Sequence, residues 1–372
     1  MAEFNKKMQE FVDKIRIFGL RFYMWPYWFY YQNKRFKESY WLAYRREPHK
    51  KPFVQILWEL IKMFLIWRCL PYHYFRYSLY KKEFSKKEIW NFIPESVVFY
   101  RTLPKINCNN VLLDNKIVFE RILAGSNLKF PKTVLKIEKG LILDKDNFPI
   151  NLSAKLEGII KKVKSNKIFI KPADCGSGGA GISSFHKKGN YFFNSLGQKF
   201  DLNYLKFLAS SGEWIIQEGL ENEGILKDMH TSSLNSFRVM TYFGKKPEVI
   251  YAILKIGNKN AETDNAHTGG IYVGVNLKTY KLMDKAFDED LNEFKVHPLT
   301  GFNFCNKKID RFKEVIDTAN KAAILFPSLK FIGWDIALTK EGAFILEGNS
   351  SPGLTIIQRT NRGMKKFYDL IK

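Results

Sequence analysis

An α+β fold built on antiparallel sheets, preceded by a basic, aromatic-rich helical region, is what this 372-residue sequence predicts. Three features predict it. Apolar runs are paired across short turns, as in SFRVMTYFGKKPEVIYAILKIG and FIGWDIALTKEGAFILEGN. Amphipathic helical patterns stand between such runs, strongest in IDRFKEVIDTANKAAILFP. Residues 1–106 differ in texture from the rest: they hold 21 Lys+Arg against 9 Asp+Glu, a net of +12, with 29 of the 58 aromatics and six of the eight tryptophans.

Within that first region the patterns are helical. Phe53, Ile56, Leu57, Leu60, Ile61 and Phe64 follow 3–4 spacing, with Gln55, Glu59 and Lys62 opposite, which predicts an amphipathic helix. Pro26, Pro48, Pro52, Pro71 and Pro94 divide the region into short helices. Three readings of its basic, aromatic surface stand: core helices of an added domain, an interfacial membrane anchor, or a nucleic-acid surface. Packed helices with one basic–aromatic membrane face are expected, and nucleic acid is not, since no binding motif for it is present. No segment reaches the ~18 consecutive apolar residues of a membrane span. The N-terminus is charged throughout and shows no signal-peptide pattern. Cys69, Cys108, Cys175 and Cys305 are too scattered for a zinc site, so thiols in a reducing cytoplasm are expected. The overall charge of +23 predicts an anionic partner, whether substrate or membrane surface.

From about Asn107 the elements follow in order. DNKIVFERILAG reads as a helix with Asp114 at its start and Gly125 at its end, and KFPKTVLKI as a loop entering a strand. KIFIKPA and GNYFFNS read as strands, DLNYLKFLASS as a helix capped by Asp201, and EWIIQEG as a buried strand. Between KIFIKPA and GNYFFNS lies FIKPADCGSGGAGISSF. Its Gly176-x-Gly178-x-x-Gly181 spacing fits the dinucleotide fingerprint, but that motif must open a helix. Here β-forming residues follow, so a glycine-rich hairpin tip is predicted, with backbone amides able to approach phosphate and Lys171 supplying charge. A mobile glycine turn beside a surface lysine is the alternative.

The hairpin FIGWDIALTKEGAFILEGN carries the second signal. A three-residue loop, Lys340–Gly342, with Gly342 left-handed, sets Thr339 against Ala343 and Asp335 against Glu347 on one face, with Asn349 two residues on. Opposed carboxylates on otherwise apolar strands repel, which implies a divalent cation such as Mg²⁺. Two solvated edge carboxylates are the alternative.

Together these pieces resemble the ATP-grasp superfamily: Lys171, a glycine-rich flap, a strand ending IIQEG, the arginine of SFRVM, and D-x(11)-E-G-N followed by PG. The likeness is greatest to its sugar-transfer-associated branch, through SSLNSFRVMTY, TDNAHTGGIYVGVN and GWDIALTKEGAFILEGNSSPGL, and covers roughly residues 107–372. It implies two α+β lobes clasping ATP, over 107–218 and 219–372. It implies that Lys116, Lys171, Ser177, Gly178 and Gly179 meet the nucleotide's phosphates. It implies that Gln217, Glu218 and Leu220 line the adenine, with Glu218 near the exocyclic amine. Arg238, with Lys171, resembles the catalytic pair that meets the transferred phosphoryl group. Asp335, Glu347 and Asn349 resemble the Mg²⁺ ligands. Asn235, Lys255, Asp264, Asn265, His267, Gly269 and Gly270 fall on the substrate side. Lys255 stands where an arginine is expected, and Ser236 where threonine is usual. His230 reads as a capping or surface residue and Cys175 as small packing. The activity implied is ATP-dependent joining of a carboxylate to an amine through an acyl phosphate, with an amino acid and an amino sugar of a surface glycan as candidate substrates. A kinase acting on a hydroxyl, or a non-catalytic nucleotide-binding protein, are the alternatives.

Overall fold

The computed structural model describes residues 38–150, 152–174, 181–259, 264, 269–290 and 292–371. Cys175, Ser177, Gly178, Gly179, Asn265 and His267 lie outside the described residues, as do residues 1–37. The chain divides into two compact units, Met1–Val98 with Gly363–Leu370, and Phe99–Arg362.

The second unit holds two antiparallel sheets. The first is built from β1 (Thr133–Glu138), β2 (Leu141–Leu143), β3 (Lys167–Pro172), β4 (Ser183–Lys188), β5 (Tyr191–Phe193) and β6 (Trp214–Glu218), in the order β2-β1-β6-β3-β4-β5. A strand, not a helix, therefore follows the glycine-rich segment, as the rejection of a dinucleotide fold required. Gly181 closes that segment at φ +78, and a Cβ there would stand 2.9 Å from the Pro172 ring. Strand alternation sends Ile168, Ile170 and Ile216 into a core with Leu135, Phe185 and Leu205. The opposite face of β3 and β6 then presents Phe169, Lys171 and Gln217, with Phe169 paired to Gln217. The helix Leu202–Ser211 packs into the same core, and Asp201 caps it by accepting the Tyr204 N–H at 2.9 Å.

The second sheet comprises β7 (Ser236–Phe243), β8 (Pro247–Ile256), β9 (Ile271–Val275), β10 (Leu282–Phe287), β11 (Glu293–Phe294), β12 (Phe331–Thr339) and β13 (Gly342–Asn349), ordered β11-β10-β9-β8-β7-β12-β13. Its core face carries Phe237, Val239, Leu254, Val273, Trp334 and Ile336, covered by the amphipathic helix Phe312–Ile324. Alternation leaves Arg238 and Asp335, which are paired, on the other face.

The β12–β13 hairpin corrects the expected turn. Thr339 pairs with Gly342, so the loop is the two residues Lys340–Glu341 and not three. Taken alone, that register would put Asp335 out of line with Glu347. A bulge between the Asp335 and Ile336 pairings absorbs Leu346 as an extra residue and restores Asp335 opposite Glu347 and Gly333 opposite Asn349. A second correction concerns the helix expected to start at Asp114. It spans Lys116–Ala124, and Asn115 is its cap, accepting the Ile117 and Val118 N–H groups at 3.0 Å each. Asp114 instead closes the short helix before it.

In the first unit the helix Phe53–Trp67 forms as its spacing predicts, opened by Pro52. Most of its apolar face is turned outward: the buried stripe is Ile56, Glu59, Met63 and Trp67, while Phe53, Leu57, Ile61 and Phe64 face solvent. Polar chemistry fixes that orientation: the Glu59 carboxylate receives Lys51 at 3.1 Å, Gln55 at 2.8 Å and the Tyr74 hydroxyl at 2.6 Å. These three donors offset the cost of taking the carboxylate out of water. In the same unit Phe92 packs against Tyr77, tilted with ring centroids 5.0 Å apart, and edge-on against Phe84 at 5.6 Å. Residues 363–370 return to this unit. Gly363, at φ +108, leaves room for Asn91, which a Cβ would approach to 2.5 Å. The Met364 N–H then donates to the Asn91 carbonyl at 2.8 Å.

His73 is the most exposed weakness of this unit to pH. Its ring is 1% accessible, and neither ring nitrogen has a hydrogen-bond partner among the described residues. Burial pushes its pKa down to about 3. The folded state therefore holds the ring neutral, while the unfolded chain takes up a proton below its ordinary value of 6.5. Stability is present above that value and is lost as pH falls from there towards 3. The urea midpoint of the wild type should drop from pH 7 to pH 5, and His73→Leu should gain on it over that interval. An unchanged gap between the two proteins would refute the assignment.

Candidate active site

The cleft faces of the two sheets bring together the residues with charge to offer. On β12 and β13, Asp335 is buried opposite Glu347. Arg238 on β7 grips Asp335 with two nitrogens, Nε and Nη2, the latter at 3.0 Å. Lys255 on β8 reaches the same carboxylate at 3.0 Å and Asp264 at 3.3 Å. Asp264 also accepts the Ser236 hydroxyl. Burial would raise the Asp335 carboxyl, but Arg238 and then Lys255 outweigh it and hold the group ionised, well below the usual carboxylate range. Glu347 goes the other way: burial, then the charge of Asp335, raises it. Lys255 is likewise depressed by burial, but the carboxylates of Asp264 and Asp335 prevail and keep it charged.

These groups fit a divalent cation. Among the described residues no set of three His, Cys, Asp or Glu side chains gathers to hold a metal alone. What is present is two carboxylates and one amide, an oxygen set suited to Mg²⁺ that completes its shell with phosphate and water. Burial and then the facing Asp335 charge both raise Glu347, the strain between opposed carboxylates that a cation would relieve. Asn349 sits beside them, its Nδ2 donating to the Gly333 carbonyl at 3.3 Å and to Glu347 at 3.4 Å.

Across the cleft, Lys171 ends β3 with its Nζ 3.1 Å from the Gln217 side-chain oxygen. Burial lowers its pKa to about 8; Glu347 acts against that and neighbouring Lys116 adds to it. Lys116 begins its helix with its N–H donating to the Ala173 carbonyl at 2.7 Å, which ties it to the end of β3. Lys116, Gln217, Ile345 and the bulged Leu346 line one small recess. A pocket of about 200 Å³ is bounded by Lys167, Phe169, Gly219, Leu220, Asn222 and His230. Leu220 lines this pocket, whereas Gln217 lines the smaller recess.

Two expected site residues are corrected. Glu218 turns to the other face of β6 from Gln217, and its carboxylate is taken up by Lys132 at 2.8 Å and by the N–H groups of Lys164 and Ser165 at 3.2 and 3.1 Å. It braces the connection between the sheets and does not present itself to a base. Asn235 is wholly buried: it donates to the Leu226 carbonyl at 2.6 Å and accepts the Ser233 hydroxyl and the Gly257 N–H at 3.1 Å each. Its role is to fix the turn into β7. His230, read as capping or surface, is buried, with Nδ1 against Ser233 Oγ at 2.8 Å and Nε2 against the Lys259 carbonyl at 2.9 Å. Asp264 is drawn into the site; Gly269, at φ +85, and Gly270 lead from its segment into β9. Phe169, Ser236 and Tyr272 were missed. Strand alternation from Lys171 would have found Phe169, and the pairing of Lys255 with Ser236 and Tyr272 places the others on the same face.

Comparison with known proteins follows this geometry. Residues 99–367 match the family model described as sugar-transfer associated ATP-grasp. No curated protein sequence matches the chain. Among solved structures, N5-carboxyaminoimidazole synthetase from Staphylococcus aureus complexed with ADP is 10% identical over 66% of this chain and 46% of that one, with a TM-score of 0.39. The D-alanine-D-alanine ligase from Coxiella burnetii is 8% identical over 70% and 56%, with a TM-score of 0.39. That from Bacillus anthracis complexed with ATP is 13% identical over 70% and 65%, with a TM-score of 0.37. Likenesses this weak carry no argument alone, and the chain spans about half the length of the first structures it matches. The family match does carry one, because it runs through both sheets, the glycine-rich segment and the carboxylate hairpin: the chain belongs to the sugar-transfer associated ATP-grasp family.

Proposed function

We propose that the protein is an ATP-dependent carboxylate–amine ligase that works through an acyl phosphate. The reading places it in the cytoplasm at the inner face of the membrane, joining an amino acid to an amino sugar in surface polysaccharide biosynthesis. The observation that carries it is the opposed Asp335–Glu347 pair, whose Glu347 charge acts on Lys171, in a chain of this family.

ATP would enter between the sheets with its base against Phe169, Gln217 and Leu220. Its phosphates would lie towards Lys171 and Lys116, under the segment of Ser177, Gly178 and Gly179. Mg²⁺ held by Asp335, Glu347 and Asn349 would neutralise charge on the phosphates. A substrate carboxylate oxygen forms a bond to the γ-phosphorus as the bond to the β-bridging oxygen breaks, releasing ADP. The amine then attacks the acyl carbon, the C–O bond to phosphate breaks, and the amine's proton goes to solvent. Phosphoryl transfer asks the protein for positioning and charge, which Lys171, Arg238 and Lys255 supply. Lys255, Asp264, Gly269 and Gly270 border the region left for the acceptor, with Asn265 and His267 in the same segment.

An ADP-release screen over carboxylates and amines, with activated sugars included, tests the reading. Equal amounts of ADP and free phosphate, dependent on both substrates, are expected. ADP without free phosphate, with the phosphoryl group on a hydroxyl, would make it a kinase.

Glu347→Gln removes one ligand charge at nearly constant volume. Turnover should fall by orders of magnitude while the thermal midpoint stays within a few degrees; wild-type ADP formation at saturating Mg²⁺ would remove Glu347 from the site.

Calorimetry checks the phosphate side. Lys171→Ala and Gly178→Val should each weaken ATP binding, the first by losing a cation and the second by blocking backbone amides. Because the free Lys171 titrates near 8 and phosphate favours its charged form, wild-type ATP affinity should fall about tenfold per pH unit above that value. Lys171→Arg should flatten the slope. Wild-type affinity in the alanine and valine variants, or a slope that survives the arginine, would show that this lysine does not meet the phosphates.

A further inference from the structure

We propose that the helix Phe53–Trp67 lies in the plane of an anionic lipid bilayer, with its outward face seated among the acyl chains. This rests on the membrane-surface reading above and assigns it to one element.

The observation is the exposed apolar face of this helix. Val54, Leu57, Trp58, Ile61, Phe64 and Leu65 all face outward, with Val54 77%, Trp58 61% and Leu65 66% exposed. At 100° per residue they form one continuous arc. A scattered exposed leucine needs no explanation, but a contiguous apolar face of this length does. The only carboxylate of the helix, Glu59, is turned inward and matched by Lys51. The outward side carries no acid. Its charges are cations: Lys62 at the edge of the arc, with Nζ 5.9 Å from the Trp58 ring, and Arg68 at the C-terminal end. An amphipathic tryptophan beside a long lysine at the margin of an apolar face matches the boundary between headgroups and chains.

Charge selects the occupant. Residues 38–98 hold 11 Lys+Arg against 6 Asp+Glu, and residues 1–106 carry +12. A second copy of the chain would bring two basic surfaces together, which is unfavourable. An anionic bilayer attracts them, and its core accepts the apolar arc. The helix has 15 residues, too few for the roughly 20 of a span, and none of the described helices is long and apolar enough to cross a membrane. It therefore lies along the surface.

The test uses the full-length protein and vesicles of phosphatidylcholine with or without phosphatidylglycerol. The wild type should sediment with the anionic vesicles and be only partly released by high salt. Leu57→Gln/Ile61→Gln/Leu65→Gln should weaken binding on the order of a hundredfold, since three apolar side chains leave the acyl region. Val54→Gln and Leu65→Gln singly should each weaken it severalfold, which keeps the test decisive if the triple variant does not fold. Phe207→Gln, which removes an exposed aromatic of the other unit, should bind like the wild type. Wild-type binding by the single and triple variants would overturn this assignment while leaving the membrane reading intact. Failure of the wild type to sediment would overturn both. Lipid-free dimers that the triple variant abolishes would show that the face joins two copies instead.

Discussion

Two carboxylates set face to face, one of them fully buried, are the constraint around which the second unit is arranged. Asp335 and Glu347 face each other across β12 and β13, on strands that are otherwise largely apolar. Left alone they would repel. The neighbouring strands answer with cations in register: Arg238 one strand away and Lys255 the next, with Lys171 opposite. Lys255 needs a counter-charge of its own, which is why Asp264 is drawn in from the segment before β9. Each ion is thus held by the one beside it.

That arrangement gives the resting site a definite logic. Arg238 and Lys255 occupy the carboxylate that a divalent ion would share, so the protein is folded around the site before any metal or phosphate enters. For the protein's own side chains, binding would then be an exchange of partners among charges already largely desolvated. Glu347 is the less well matched of the pair, raised by burial and then by the charge of Asp335.

Much of this was legible in the sequence where local chemistry decides. Asp201 caps its helix as read, and alternation places Lys171 and Asp335 on the faces expected of them. The reading fails where distant contacts decide. Nothing local distinguishes Asp114 from Asn115 as a cap; the tie between Lys116 and the end of β3 does. Glu218 and Asn235 look like site residues because they sit in the right segments, yet backbone groups far away in sequence claim their side chains. The helix Phe53–Trp67 is the sharpest case. Its periodicity was read correctly, but the side facing inward was chosen by Lys51 and Tyr74 around one carboxylate, not by hydrophobicity. The return of residues 363–370 to the first unit left no local mark beyond Gly363.

The bulge at Leu346 acts as a phase correction. Between the tip and the bulge the two strands run in one register, and beyond it in another, so the hairpin contains two segments whose alignments are set independently. The tip is free to answer to its own turn chemistry, here the contacts of Thr339 with Glu341 and of Lys129 with the loop carbonyl. The alignment of Asp335 with Glu347 answers to the sheet and the cleft. A hairpin without such a break transmits every change at its end to its whole length. This one confines it, so variation at the loop and constancy at the carboxylates are compatible within a single pair of strands.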